Sequence, residues 1–417
     1  MKRIILSCIV WVSLWSAVRA QEIPARLSRG VEAYLDVRED EQGWMLLAEL
    51  LKDEPTAEQL AAALRATGGE LAGTMRELIP WRDQHLVAEV RIPEGHDRSK
   101  DRAPVLFDIS GGHMIDWLKP EGTICVSVAN FTPPEFSDEG RDAFLKVLRR
   151  VAHRYHGDPD RLWLTGFSWA AHASWDTALH RPGWLCGIAS FGGGPRRSHF
   201  RLMDHLEGLA LLAGCGAQDD PELIWNLREG ERPATNDALD YDLTLDPRQG
   251  HSMPLEGQDA VAPAIRLKRR EAPLSADGMR KGRLLADGPM VENPILRVDA
   301  VDEARTTVPT RIPVSASLSE DGKRRKTIAA MARSVARVDW KITRKGHDVE
   351  LVLKPSGVRE QTVLMREPWF QPGDHVTIRR GRAKVHEAVL NPDPRVMLEE
   401  ARRSGERLRL VLGRVTL

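Results

Sequence analysis

Between residues 84 and 250, short and continuously apolar runs alternate with helix-like segments. This alternation limits the fold more than any other feature of the chain. The runs APVLFDIS (103–110), GTICVSVAN (122–130), DRLWLTGFS (160–168), LCGIASFGG (185–193) and LALLAGCGA (209–217) read as strands covered on both faces. HLVAEVRIP (85–93) alternates instead, as a half-buried strand does. Residues 137–155 form an amphipathic pattern with acids in the first turn, and AAHASWDTALHRP reads as a helix stopped by Pro182. Strands alternating with helices predict a mostly parallel sheet with helices on both faces.

The flanks read differently. Lys2 and Arg3, an apolar stretch over 4–14 and the small residues Val18 and Ala20 make 1–20 a signal peptide, which predicts a secreted or periplasmic protein. No other stretch is apolar and long enough to span a bilayer, so no stable membrane insertion is expected after cleavage. Residues 21–82 read as a helical preface, extending through TMREL (74–78). The α/β part covers 83–258. Residues 259–295, rich in Arg, Gly and Pro, read as linker or lid. Short alternating segments over 296–417, among them TRIPVSASL (310–318), predict a C-terminal antiparallel β-sandwich-like module that folds separately.

Composition excludes some functions. With 42% hydrophobic and 29% charged residues the chain is globular, and a net charge of zero gives no field to recruit nucleic acid. Cys125, Cys186 and Cys215 remain after signal cleavage and sit in apolar runs. They read as buried thiols, with a Cys186–Cys215 bridge as the pairing open to an oxidising compartment. Without a CxxC or a metal-spaced Cys/His cluster, no metal or cofactor is expected.

The chemistry concentrates at Gly166-Phe167-Ser168-Trp169-Ala170. This segment follows an apolar strand and opens a helix, the setting of a nucleophile elbow that holds Ser168 exposed at a sharp turn. A serine nucleophile needs a base and an orienting acid. Two later loops at the ends of apolar runs supply them: Asp219-Asp220, and His251 within Gly250-His251-Ser252. Spacing does not separate the two aspartates. Asp219 is taken first and Asp220 is the alternative. An oxyanion hole needs two amides, here that of Trp169 and one from Gly111-Gly112-His113, with Gly112 as donor. His113 and His172 read as pocket lining and packing. Trp169, Trp175 and Trp225 read as core or pocket wall.

At these residues the chain resembles a known group. APVLFDISGGH, the run from Asp158 to Gly194, LLAGCGAQDD and PRQGHS together look like the secreted α/β-hydrolases of the polyhydroxybutyrate depolymerase and feruloyl esterase type. The tail from Pro372 is similar to a β-rich module that follows such hydrolases in some secreted bacterial proteins. Ala170 stands where the group usually has Gly, and Ser110 where it usually has His. The resemblance implies an α/β-hydrolase fold and a serine esterase acting on an ester substrate that can be polymer-linked. The alternatives are a peptidase on the same fold and a decayed hydrolase that binds a partner.

Overall fold

The computed structural model describes residues 25–37, 40–66, 71–82, 84–129, 136–236, 240–253, 258–270, 278–309, 312–315 and 317–417. The signal sequence and the Asn130-Phe131-Thr132 sequon lie outside them. In chain order the elements begin with α1 (Ala25–Asp36), α2 (Asp40–Lys52), α3 (Ala57–Arg65), β1 (Thr74–Trp81), β2 (Gln84–Arg91), β3 (Ala103–Asp108), α4 (His113–Leu118), β4 (Ile124–Val128), α5 (Asp138–Arg154), β5 (Gly157–Phe167) and α6 (Trp169–His180). They continue with β6 (Gly187–Phe191), β7 (Ala210–Gly216), α7 (Pro221–Asn236), β8 (Asp240–Asp246), α8 (Gln258–Leu267), β9 (Met279–Ala286), β10 (Val291–Glu292), β11 (Leu296–Val301), α9 (Glu303–Thr306) and α10 (Glu320–Met331). The last elements are β12 (Ala336–Lys345), β13 (Asp348–Ser356), β14 (Val358–Arg366), β15 (His375–Arg380), β16 (Ala383–Val389), α11 (Pro394–Ser404) and β17 (Val411–Thr416).

The first eight strands form one sheet in the order β1-β2-β4-β3-β5-β6-β7-β8, parallel except where β2 runs against β1 and β4. This is the strand order of an α/β-hydrolase. Side chains alternate between two cores, as pleating requires. Val105, Phe107, Leu162 and Leu164 face α5 and α6 on one side. Leu106, Trp163, Ala189 and Leu212 face α4 and α8 on the other. Both faces are therefore covered, which explains why these strands read as unbroken apolar runs.

Two further sheets make the C-terminal part: β10-β11-β14-β17, and β16-β15-β13-β12-β9. All pairs are antiparallel except β13 with β15. Their core also contains Val31, Leu47, Leu60 and Leu64 from α1–α3, and Met397 and Leu398 from α11. The helical preface thus packs on the C-terminal sheets.

Three sequence expectations are corrected here. TMREL belongs to β1, because Thr74–Trp81 pairs residue by residue with Arg91–Gln84 and so needs an extended backbone. The stretch 259–295 holds α8, β9 and β10. Its β9 looks hydrophilic because Met279–Arg283 are not buried, while only Leu284–Ala286 are. Within TRIPVSASL the described residues form no strand; α10, with no buried residue, follows instead. The buried-thiol reading holds: Cys125, Cys186 and Cys215 are free and buried, and the alternative Cys186–Cys215 bridge is not formed. Gly187 lies beside Ala210 in the parallel register of β6 and β7, so Cys215 sits about six residues, roughly 20 Å, further along than Cys186.

Candidate active site

β5 ends in mid-sheet between β3 and β6, and the chain turns at once into α6. Ser168 makes the turn with φ 55° and ψ −117°, a backbone region that costs a residue with Cβ about 1–3 kcal/mol. Three backbone bonds hold it there. The Ser168 amide donates to Phe191 O at 2.9 Å, and its carbonyl accepts from Ala171 and His172 at 3.1 and 3.2 Å. Glycines make the room: a Cβ on Gly166 would lie 2.6 Å from the Ala170 Cβ, and one on Gly193 would lie 2.4 Å from Ser168 O. The Ala170 methyl occupies the space that Gly166 leaves empty and is buried.

The elbow and two later loops bring Ser168, His251 and Asp219 into one line. Ser168 Oγ is 2.9 Å from His251 Nε2, and His251 Nδ1 is 3.0 Å from Asp219 Oδ2 and 3.2 Å from Oδ1. A carboxylate facing Nδ1 keeps the proton on that nitrogen. Nε2 is then left to accept from the serine hydroxyl. The Asp219 carboxylate is 4% exposed and the His251 ring 51% exposed, so the acid is desolvated while the base opens to solvent. The loops are zipped together: the amides of Ala217 and Gln218 donate to Asp246 O and Gln249 O at 2.7 and 3.0 Å. Gly216 is required at this seam, because a Cβ there would sit 2.1 Å from Gln249 O. Phe167 backs the His251 ring at 5.3 Å between centroids.

The two aspartates part company. Asp220 turns to α7 and accepts the amides of Glu222 and Leu223 at 2.6 and 3.4 Å, as an N-cap does. Asp219 alone meets His251.

On the other side of the elbow, Gly111 and Gly112 take φ of 83° and 109°, the left-handed region that glycine adopts freely, and lead into α4. The buried Asp108 organises this loop. Its carboxylate accepts the amides of Ser110 and Met114, both at 2.7 Å, and of Ile115 at 3.4 Å. Burial raises the Asp108 pKa despite those amide bonds. Ser110 Oγ accepts the Phe167 amide at 2.8 Å and so ties the Gly111-Gly112 loop to the strand that carries Ser168. Trp169 opens α6, and a helix's first amides have no acceptor within the helix. Sequence reasoning missed Asp108 and the role of Ser110. The available signal was a lone acid at the end of an apolar strand, just before paired glycines.

The remaining residues singled out in the sequence take structural places. His113 is exposed, and His172 Nδ1 lies against the Gly194 backbone. Trp175 Nε1 donates to Ser190 Oγ at 2.8 Å within the core. Trp225 packs against Phe200 under Arg324.

No protein-family model matches the chain, and no curated protein matches it. Among solved structures it is similar to Porphyromonas gingivalis dipeptidyl peptidase 4, at 13% identity over 47% of this chain and 35% of that one, with a TM-score of 0.38. It is also similar to Pyrococcus horikoshii acylaminoacyl peptidase, at 11% identity over 50% of this chain and 44% of that one, TM-score 0.39. A third is Thermogutta terrifontis esterase 2, at 13% identity over 46% of this chain and 89% of that one, TM-score 0.36. The chain thus spans about a third of the first peptidase and under half of the second.

Proposed function

We propose that the protein is a serine hydrolase of carboxylic esters, secreted or periplasmic, of the polyhydroxybutyrate depolymerase or feruloyl esterase type. The observation that carries this reading is the unbroken line Ser168–His251–Asp219, with contacts of 2.9 and 3.0 Å. Ser168 Oγ attacks the ester carbonyl while His251 Nε2 takes its proton, and Asp219 stabilises the imidazolium. The amides of Trp169 and Gly112 stabilise the developing oxyanion. His251 then returns the proton to the leaving alkoxide, giving an acyl-serine and a free alcohol. Water, deprotonated by His251, releases the carboxylic acid and restores Ser168. The half-exposed His251 ring supports access by a bulky or polymer-linked ester.

The test is labelling by a fluorophosphonate together with turnover of short nitrophenyl esters. Ser168→Ala is expected to abolish labelling and lower kcat by about three orders of magnitude or more while the fold persists. Residual turnover within about tenfold of wild type would remove Ser168 as the nucleophile. Comparing simple esters with feruloylated polysaccharide then reads the substrate class.

A further inference from the structure

A cavity of about 640 Å³ lies where α1, α2, the β1–β2 turn, α5 and α11 meet. That volume suits a small organic ligand. β1 stands four strands from β5 in the sheet, about 19 Å at ordinary spacing, so this cavity is separate from the Ser168 site. Its apolar walls are flat: Tyr34, Trp44, Pro80 and Trp81.

The charges around it are nearly all paired. Asp40 meets Arg402 at 3.4 Å, and Glu399 meets Arg395 and Arg414 at 2.7 and 2.9 Å. Arg82 pairs with Glu139, and Arg403 pairs with Glu292 and Glu400 at 2.9 and 2.7 Å. The Arg402 guanidinium also seats against Gly43, where a Cβ would lie 2.6 Å from Nη1. Among the described residues Lys146 is the exception. This half-buried side chain on α5 lines the cavity and has no hydrogen bond or ion pair among the described residues. Asp36, the α1 carboxylate whose charge it feels, is taken by Arg150 at 2.8 Å. Burial, and then the charges of Arg150 and Arg402, push the Lys146 pKa down to about 8. A half-buried ammonium with no partner among the described residues is costly, and an incoming anion offsets that cost.

We infer that this cavity binds a small organic monocarboxylate with a flat apolar body, its carboxylate on Lys146 and its body against the indoles. One ammonium matches one negative charge. A dianion such as phosphate would also face Asp40 and Glu399, which line the same cavity. The binding needs nothing from the chemistry at Ser168.

The experiment is calorimetric titration of the full chain with 3-phenylpropionate, 3-phenylpropanamide, acetate and inorganic phosphate. Saturable one-to-one binding of 3-phenylpropionate is expected, with the other three about tenfold weaker or worse. Lys146→Met, which keeps most of the side chain's length and removes the charge, should weaken it about tenfold or more while nitrophenyl ester turnover stays unchanged. Trp44→Ala, at a residue 55% exposed and outside the cores, should weaken it less. Absence of saturable binding, equal binding of the amide, or undiminished binding by Lys146→Met each overturns the inference. An acid bound instead at the Ser168 site would be insensitive to Lys146→Met and so is told apart.

Discussion

Asp219 and Asp220 are neighbours of the same type, yet the fold gives them unrelated work. The Asp219 carboxylate is buried and meets the His251 ring, while Asp220 accepts two amides at the start of α7. In the proposed mechanism Asp219→Asn keeps the shape but sets the wrong imidazole tautomer, so kcat should fall by roughly three or four orders of magnitude. Asp220→Ala should leave kcat within about tenfold and instead cost about 1 kcal/mol of stability, the usual effect of losing a cap. The measurements are kcat on one activated ester at pH 8 and the denaturant midpoint for each variant. A crippled Asp220 variant would move the orienting role by one residue, and two fast variants would leave a Ser–His pair without an aspartate. Sequence alone left this choice open because spacing fixes only that a loop arrives, not which carboxylate turns inward.

At the scale of elements, legibility followed burial. β3 to β7 were readable because both faces are covered, so nearly every position had to be apolar. The elbow was readable because its small residues answer to a steric demand between Gly166 and Ala170. β1 escaped notice because its ladder with β2, not its composition, makes it extended. α10 escaped because no residue of it is buried, so it carries no apolar stripe. β9 matters most, because a chain cut at 295 would keep this strand and lose its partner β12. Leu284, Ala286, Val291 and Ile295 belong to the core that the C-terminal sheets complete. The preface helices share that same core. The expectation of a separately folding module therefore gives way to a prediction that residues 21–295 alone are insoluble or lack cooperative unfolding. Soluble yield and thermal melting of that truncated chain check it; a soluble, active fragment would show that α1–α3 and β9 need no cover.

At the scale of the whole molecule, a buried chain of charges joins the helices of the eight-stranded sheet to the C-terminal sheets. Asp176 on α6 takes Arg141 at 2.6 Å, His199 at 3.1 Å and His180 at 3.3 Å. His180 Nε2 reaches Asp287, just past β9, at 3.2 Å, and Arg201 grips the same carboxylate at 2.6 Å. Burial opposes charge on the His180 ring, but the hydrogen bonds to Asp176 and Asp287 outweigh it and raise its pKa to about 8. Burial likewise pushes Asp287 up, and His180 and Arg201 overturn that and hold it at about 2. A raised histidine pKa means that the folded state binds a proton more tightly than the unfolded chain does. The stabilisation is then complete below pH ~6.5 and disappears as pH rises through about 8. A rise of this size corresponds to roughly 2 kcal/mol. For Asp287 the sign reverses: its contribution is present above pH ~4 and is lost as pH falls through about 2. The expected result is that the melting temperature drops between pH 6 and pH 9, and that His180→Gln, already less stable at pH 6, shows a smaller drop. Melting curves of both proteins at four pH values across that window measure it. Parallel curves for wild type and variant would mean that His180 folds uncharged and that the joint between the two parts is held by the arginines alone.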